Sequence, residues 1–82
     1  MYETVWGDGS PINNFSATML AEGVDSREDD YDTIRAWSYL IGTGLAYKLQ
    51  SWFGRTAKQI IDSGTIRDDG TVNWDSINHE PE

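Results

Sequence analysis

The spacing of apolar residues in the middle of the chain predicts a long amphipathic helix. Five apolar residues recur at steps of three and four, so they share one helical face: Tyr31, Ile34, Trp37, Ile41 and Leu45. Asp25 and Ser26 offer an N-cap ahead of this run. The pattern predicts a single bent helix from about Glu28 to about Gln50.

The same stretch contains a ridge of small side chains. Ser38, Gly42 and Ala46 follow one another at four-residue steps, which predicts close packing against a second helix. Because an interior glycine costs a helix about 1 kcal/mol, the alternative is that residues 42–44, Gly-Thr-Gly, divide the helix in two. The single bent helix is the favoured prediction.

A second helix is predicted over residues 55–63, after an aromatic corner at residues 51–54. Ala57, Ile60 and Ile61 would face inward, and Gly64 would end the helix in the left-handed conformation. Beyond it, residues 66–74 alternate around an Asp-Gly pair, which predicts a short β-hairpin.

The 82 residues are enough for one domain with a small core. Residues 1–24 form a loop-rich N-terminal arm with one or two helical turns at residues 15–20. Residues 25–74 form the helical core plus hairpin, and residues 75–82 a polar tail that frays. The expected fold is mainly α (α+β), a helix-turn-helix core with a short C-terminal β-hairpin.

Charge is distributed unevenly along the chain. Residues 1–32 hold eight acidic residues and one arginine, and residues 62–82 hold six and one. Between them there is no carboxylate, and four cations give this middle part a net charge of +4: Arg35, Lys48, Arg55 and Lys58. The total of −8 disfavours duplex DNA and anionic membranes as partners, because both are polyanions.

The residue types present argue against catalysis. His79 is the only histidine, it lies in the polar tail, and the chain has no cysteine, so a Ser–His or Cys–His constellation is not expected in the core. Aligning Gly70 with the glycine of a calcium-binding EF-hand loop would place Arg67 at a ligand position, which excludes that site. We predict a non-enzymatic protein without cofactor or metal.

No apolar run approaches the roughly 20 residues needed to cross a bilayer, so we expect a soluble protein of the cytoplasm. The order of helices and hairpin also allows a winged-helix DNA-binding fold. Its basic recognition face would hold only Arg55, Lys58 and Arg67, so we rank this alternative below protein binding.

An acidic run at the start of the predicted long helix is the first candidate binding face: Asp25, Glu28, Asp29, Asp30 and Asp32. Helical carboxylates three or four residues apart lie roughly 5–6 Å from each other, close to the spacing of phosphates along one nucleic-acid strand. Such a run would mimic a nucleic acid in the basic groove of a partner. Taken alone, the run is better explained as a helix cap that also keeps a small domain soluble.

The second candidate combines rings with cations: Trp52, Phe53, Arg55 and Lys58. This composition is enriched at protein interfaces. The favoured alternative is that the rings are core, with the two cations exposed at its edge. The basic centre would also suit the acidic arm of another copy in a symmetric dimer.

Residues 37–57 follow the pattern W-x-x-L-I-x-T-G-L-x-x-x-L-Q-x-W-F-G-R-x-A, and a short helix ending in Gly64 comes next. This stretch resembles a group of small uncharacterised proteins encoded by bacteriophages. The group has glycine where this chain has Ser51. The resemblance implies a phage origin and brings no known activity, so it assigns no functional residue.

Together these observations predict a phage accessory protein that acts in the host bacterial cytoplasm. It would bind and inhibit or modulate a host protein of defence or nucleic-acid processing. The alternative is a homo-oligomeric structural or assembly factor of the virion, which would use the small-residue ridge and the aromatic corner.

Overall fold

The computed structural model describes residues 1–24 and 31–77, and it is mainly helical, which confirms the predicted class. Its helices are α1 (Asn14–Ala21), α2 (Asp32–Gly42), a 3₁₀ helix (Leu45–Tyr47), α3 (Ser51–Asp62) and α4 (Trp74–Ile77). The helix predicted from about Glu28 begins, within the described residues, at Asp32. The preceding residues of the acidic run lie outside the described part.

Helix α1 begins at a reciprocal cap. The N–H of Ser16 donates to Oδ1 of Asn13 at 2.8 Å, and the N–H of Asn13 donates to Oγ of Ser16 at 3.2 Å. Ala17 and Leu20 then face the core and pack against α2. The one or two turns predicted for residues 15–20 are therefore a full helix of eight residues.

The prediction of one bent helix is wrong, and the division at residues 42–44 is the observed arrangement. Helix α2 ends at Gly42, and Gly44 adopts a φ of +80°, which costs glycine little but strains other residues. The chain then makes the 3₁₀ helix, and Gln50 is extended before α3 begins at Ser51. Helix α3 therefore contains the residues predicted as an aromatic corner.

The small-residue ridge of α2 is covered by the N-terminal segment and not by a second helix. A Cβ atom on Gly42 would lie 2.2 Å from Cγ of Tyr2, so the Tyr2 side chain occupies the space that glycine leaves. Oγ of Ser38 accepts a hydrogen bond from the N–H of Glu3 at 2.8 Å and donates to the carbonyl oxygen of Gly70 at 2.5 Å. Close approach was predicted correctly, but the approaching element was not.

The predicted C-terminal hairpin is also wrong, although its turn forms. Across the turn, one isolated antiparallel bridge joins Ile66 to Val72. The N–H of Gly70 donates to the carbonyl of Arg67 at 2.9 Å. No ladder of paired strands follows, because the carbonyl of Asn73 accepts the N–H groups of Ser76 and Ile77 in α4 and the chain becomes helical there.

A second turn near the N-terminus repeats this arrangement. The N–H of Trp6 donates to the carbonyl of Ser10 and that of Arg67 to the carbonyl of Thr71, both at 2.8 Å. In each turn an aspartate carboxylate accepts the N–H two residues later, as Asp8 does from Ser10 at 2.9 Å. Each turn has a glycine at φ near +90° and is followed by a helix.

Every part of the described chain contributes to one core. The buried apolar residues are Trp6, Ile12, Ala17, Leu20, Ala36, Trp37, Leu40, Ile41, Ala46, Phe53, Ala57, Ile66 and Val72. Trp6 and Ile12 come from the N-terminal segment, so residues 1–12 are part of the folded domain. Their packing against α2 leaves the outer side of α3 as the exposed helical face considered next.

Candidate functional site

An aromatic cluster fixes the orientation of α3. The rings of Trp52 and Phe53 stack with their centroids 4.0 Å apart, and the ring of Trp37 lies 5.9 Å from that of Phe53. Phe53 is only 2% exposed and Trp52 is half-buried, so these rings belong to the core, as the favoured alternative predicted. Phe53 is therefore not available to a partner.

The opposite side of α3 carries exposed cations. Arg55 and Lys58 are exposed, and so are Lys48 and Tyr47 just before the helix. We call these four residues the basic edge. Within residues 1–24 and 31–77, none of its three cations has an ion-pair or hydrogen-bond partner.

The backbone adds to the positive potential of this edge. The first turn of α3 holds no acidic residue, and the side chain of Gln50 makes no capping hydrogen bond. The N-terminal end of a helix carries a partial positive charge, so the start of α3 reinforces Lys48 and Arg55. The edge is thus a local cationic surface on a chain whose net charge is −8.

The fourth cation of the middle region, Arg35, is held inside the protein. Its Nη1 lies 2.7 Å from Oδ1 of Asp32, and its guanidinium lies 5.2 Å from the ring centroid of Trp74. The side chain of Arg35 is only 18% exposed. Of the +4 in the sequence, three charges therefore reach the surface as the basic edge.

The structure places one residue of the predicted acidic face, and it lies in the interior. Asp32 is 1% exposed, and its Oδ1 accepts the N–H of Gly7 at 2.9 Å as well as the guanidinium of Arg35. In this arrangement the carboxylate joins the N-terminal turn to α2 and does not face a partner. Asp25, Glu28, Asp29 and Asp30 lie outside the described residues.

A glycine interrupts the basic edge. Gly54 lies inside α3 and is half-exposed, and a Cβ atom built there would meet only Cδ1 of Tyr47, at an ordinary 3.8 Å. The backbone of α3 is therefore open between the Tyr47 ring and the two cations of the helix.

Comparison with known proteins adds a family. A family model described as Domain of unknown function (DUF7417) matches residues 17–80, which is most of the chain. The chain belongs to this family. A search of curated proteins and a search of solved structures found no match.

The DUF7417 match includes α2, the 3₁₀ helix and α3, and therefore the whole basic edge. It begins after the N-terminal turn that supplies Trp6 and Gly7. In the described part of this family member, no group of His, Cys, Asp and Glu side chains could hold a metal ion. No helix in residues 1–24 or 31–77 is both long and apolar enough to cross a membrane.

Sequence reasoning identified Arg55 and Lys58 as site residues and counted Lys48 only in the charge of the middle region, and it missed Tyr47 and Gly54. Tyr47 and Lys48 were placed inside one continuous helix, which hid their exposure on a 3₁₀ helix and its end. Gly54 was assigned to a corner, where a glycine needs no further explanation. The pattern W-F-G-R did indicate an unusual position, because a glycine inside a helix lowers the stability of that helix.

Proposed function

We propose that this chain is a non-enzymatic phage accessory protein that binds a host protein and inhibits or modulates it. The observation that carries the proposal is the acidic run of the sequence, in which four of the six residues 25–30 carry carboxylates. The basic edge is a separate surface that also suits protein recognition, because its three exposed cations have no partner among the described residues and charge complementarity steers and orients a partner. The phage origin rests on the sequence resemblance.

The proposed action is occlusion of a basic groove on the host protein. Four carboxylates of the acidic run would occupy the groove in place of nucleic-acid phosphates: Asp25, Glu28, Asp29 and Asp30. Asp32 has a different role, since its buried carboxylate anchors the start of α2 and the N-terminal turn from within. The proposed host target is a protein of defence or nucleic-acid processing in the bacterial cytoplasm.

The alternatives have less support. A virion assembly factor that uses the Ser38–Gly42–Ala46 ridge would need that ridge exposed, and Tyr2 and the Gly70 turn cover it. A winged-helix regulator needs a hairpin wing, and where the hairpin was predicted the described chain has one isolated bridge, between Ile66 and Val72.

The proposal is tested by affinity capture from bacterial lysate with a charge-reversed pair of variants. The test variant is Asp29→Lys with Asp30→Lys. The control is Asp62→Lys with Asp75→Lys, which changes the net charge equally at two exposed positions. We expect a host protein that binds nucleic acid to be retained at low salt by the wild type and the control, and to be lost with the test variant.

The captured protein, once purified, should lose nucleic-acid binding when the wild-type chain is added. Equal retention by all three chains would refute the acidic-groove mechanism. Recovery of only virion components after infection would replace the proposal with the assembly function.

A further inference from the structure

The two glycines within helices differ in whether packing explains them. Gly42 is required by its surroundings, because a Cβ atom there would collide with Tyr2. Gly54 has no such requirement: its φ is ordinary, and a Cβ atom would make one normal contact at 3.8 Å. Since glycine inside a helix costs roughly 0.5–1 kcal/mol relative to alanine, Gly54 weakens α3 without a compensating contact among the described residues.

Glycine is favoured where another backbone or ligand must approach a helix closely. The surroundings of Gly54 fit such an approach. Lys58 lies one turn further along the same side of α3, Arg55 is adjacent, and Tyr47 borders the opening. We call the opening at Gly54, with Tyr47, Arg55 and Lys58 around it, the Gly54 notch.

We propose that the Gly54 notch docks residues 25–30 of a second copy of the chain, reciprocally, in a weak symmetric dimer. Lys48, Arg55 and Lys58 give the edge a charge of +3. Residues 25–30 hold four carboxylates and Arg27, which gives −3. The charges of the edge and of this segment are therefore equal and opposite, and a two-fold axis uses both pairs at once.

The basic edge holds only three cations, which favours a short acidic segment over a nucleic acid. A long polyanion on the basic edge would also pass over the acidic remainder of the chain, because a net charge of −8 with +3 on the edge leaves −11 elsewhere. In the dimer the opposite charges of the edge and the segment would lie close together, whereas many of the like charges of the two copies would lie farther apart than the Debye length of about 8 Å at physiological salt. Salt therefore screens the repulsion between the copies more than the attraction at the contact. The contact survives at moderate salt and weakens at high salt.

The dimer does not rest on the proposed host function, but both use residues 25–30. A host protein that takes the acidic run would therefore compete with the second copy. Self-association is measured on the purified chain alone, so its failure is separate from any failure of host binding.

The test is a charge swap followed by sedimentation equilibrium. One variant reverses the notch, Arg55→Glu with Lys58→Glu, and the other reverses the segment, Asp29→Lys with Asp30→Lys. Each variant alone brings like charges together at both contacts, so we expect its self-association to fall at least tenfold. An equimolar mixture restores opposite charges at both contacts, +3 against −3 at one and −1 against +1 at the other. We therefore expect a heterodimer that is more stable than the homodimer of either variant.

A steric pair of variants tests the notch itself. Gly54→Leu should abolish the dimer while the chain stays folded, and Gln59→Leu, at an exposed position elsewhere on α3, should leave the dimer intact. The proposal is overturned if the wild type remains monomeric at all concentrations or if mixing the two charge variants restores nothing. Binding of an oligo-dT strand that Arg55→Glu and Lys58→Glu abolish, with the wild type monomeric, would instead assign the notch to nucleic acid.

Discussion

Two buried polar side chains on α2, Asp32 and Ser38, connect segments that are far apart in sequence. Asp32 accepts the N–H of Gly7 and holds Arg35, and Ser38 accepts the N–H of Glu3 while it donates to Gly70. A buried polar group costs free energy unless it is hydrogen-bonded. The hydrogen bonds that these side chains accept from Gly7 and Glu3 therefore form only while the N-terminal segment is in place.

Replacing Asp32 with alanine should be strongly destabilising. The change leaves the Arg35 guanidinium and the Gly7 N–H without this acceptor, and we expect the free energy of unfolding to fall by about 3 kcal/mol. The control, Asp62→Ala, removes an exposed carboxylate at the C-terminal end of α3, where it should change stability by less than about 0.5 kcal/mol. Urea unfolding of both variants checks this, and similar losses would contradict it.

The stability of the turn between Arg67 and Thr71 depends on pH through the carboxyl group of Asp69. Hydrogen bonds from the side chain and then the backbone N–H of Thr71 lower the pKa of Asp69 below its usual 3.8. The folded state therefore holds this proton less tightly than the unfolded state, so Asp69 contributes stability above pH 3.8 that is lost as pH falls through the lowered pKa.

The check is a carboxyl NMR titration together with urea unfolding of Asp69→Asn. We expect a titration midpoint below 3.8 and a stability difference between wild type and variant that closes as acid is added. A midpoint at or above 3.8 would show that the turn does not favour the charged carboxylate.

At the scale of elements, the two Asp-Gly turns have the same backbone but different surroundings. Gly9 and Gly70 have φ values of +89° and +90°. A Cβ atom on Gly9 would meet nothing within 4 Å, whereas one on Gly70 would lie 2.7 Å from the carbonyl oxygen of Ser38. The second turn is thus packed into α2, and the first is open.

This difference predicts unequal costs for the same substitution. Gly9→Ala carries only the backbone strain of about 1–2 kcal/mol. Gly70→Ala adds about 1–3 kcal/mol more, because Ser38, Gly42 and Tyr2 must move. Thermal unfolding of the two variants compares them directly, and equal losses would mean that the Gly70 turn is not closely packed.

Replacing Gly54 or Gly42 with alanine should change the free energy of unfolding in opposite directions. Gly54→Ala should raise the free energy of unfolding by roughly 0.5–1 kcal/mol, because it gains helix propensity without a clash. Gly42→Ala should lower the free energy of unfolding, because its methyl group would occupy the position of the Tyr2 ring. A loss of stability in Gly54→Ala, measured by urea unfolding, would remove the basis for the Gly54 notch.

For the whole molecule, the N-terminal segment is part of the core. Trp6 is 4% exposed and Ile12 is 7% exposed, and both belong to the cluster that α2 and α3 complete. A chain of this size has little other apolar surface to bury, so the loss of one large ring is a considerable part of its total stability.

We therefore expect Trp6→Ala to lower the free energy of unfolding by about 3–5 kcal/mol. Its neighbour Val5 is 45% exposed, and Val5→Ala should cost less than about 1 kcal/mol. Circular dichroism during urea unfolding measures both. A small effect at Trp6 would show that the domain folds without its N-terminal turn.

The sequence by itself determined the features that depend on neighbouring residues. Apolar spacing identified a helical protein, the inward position of Ala57 and the exposure of Arg55 and Lys58. Gly64 ends α3 at a φ of +83°, and the Asp-Gly pair makes a turn, because each conformation is a property of a few consecutive residues.

Only the tertiary structure decided what distant segments do to one another. The burial of Asp32 requires Gly7 from the N-terminal turn, and the ridge at Gly42 is filled by Tyr2 instead of a helix. The hairpin ended after one bridge because Asn73 begins α4. The contacts of Asp32 with Gly7 and of Gly42 with Tyr2 join residues separated by tens of positions. Their energies depend on the assembled core, so local pattern and propensity do not contain them.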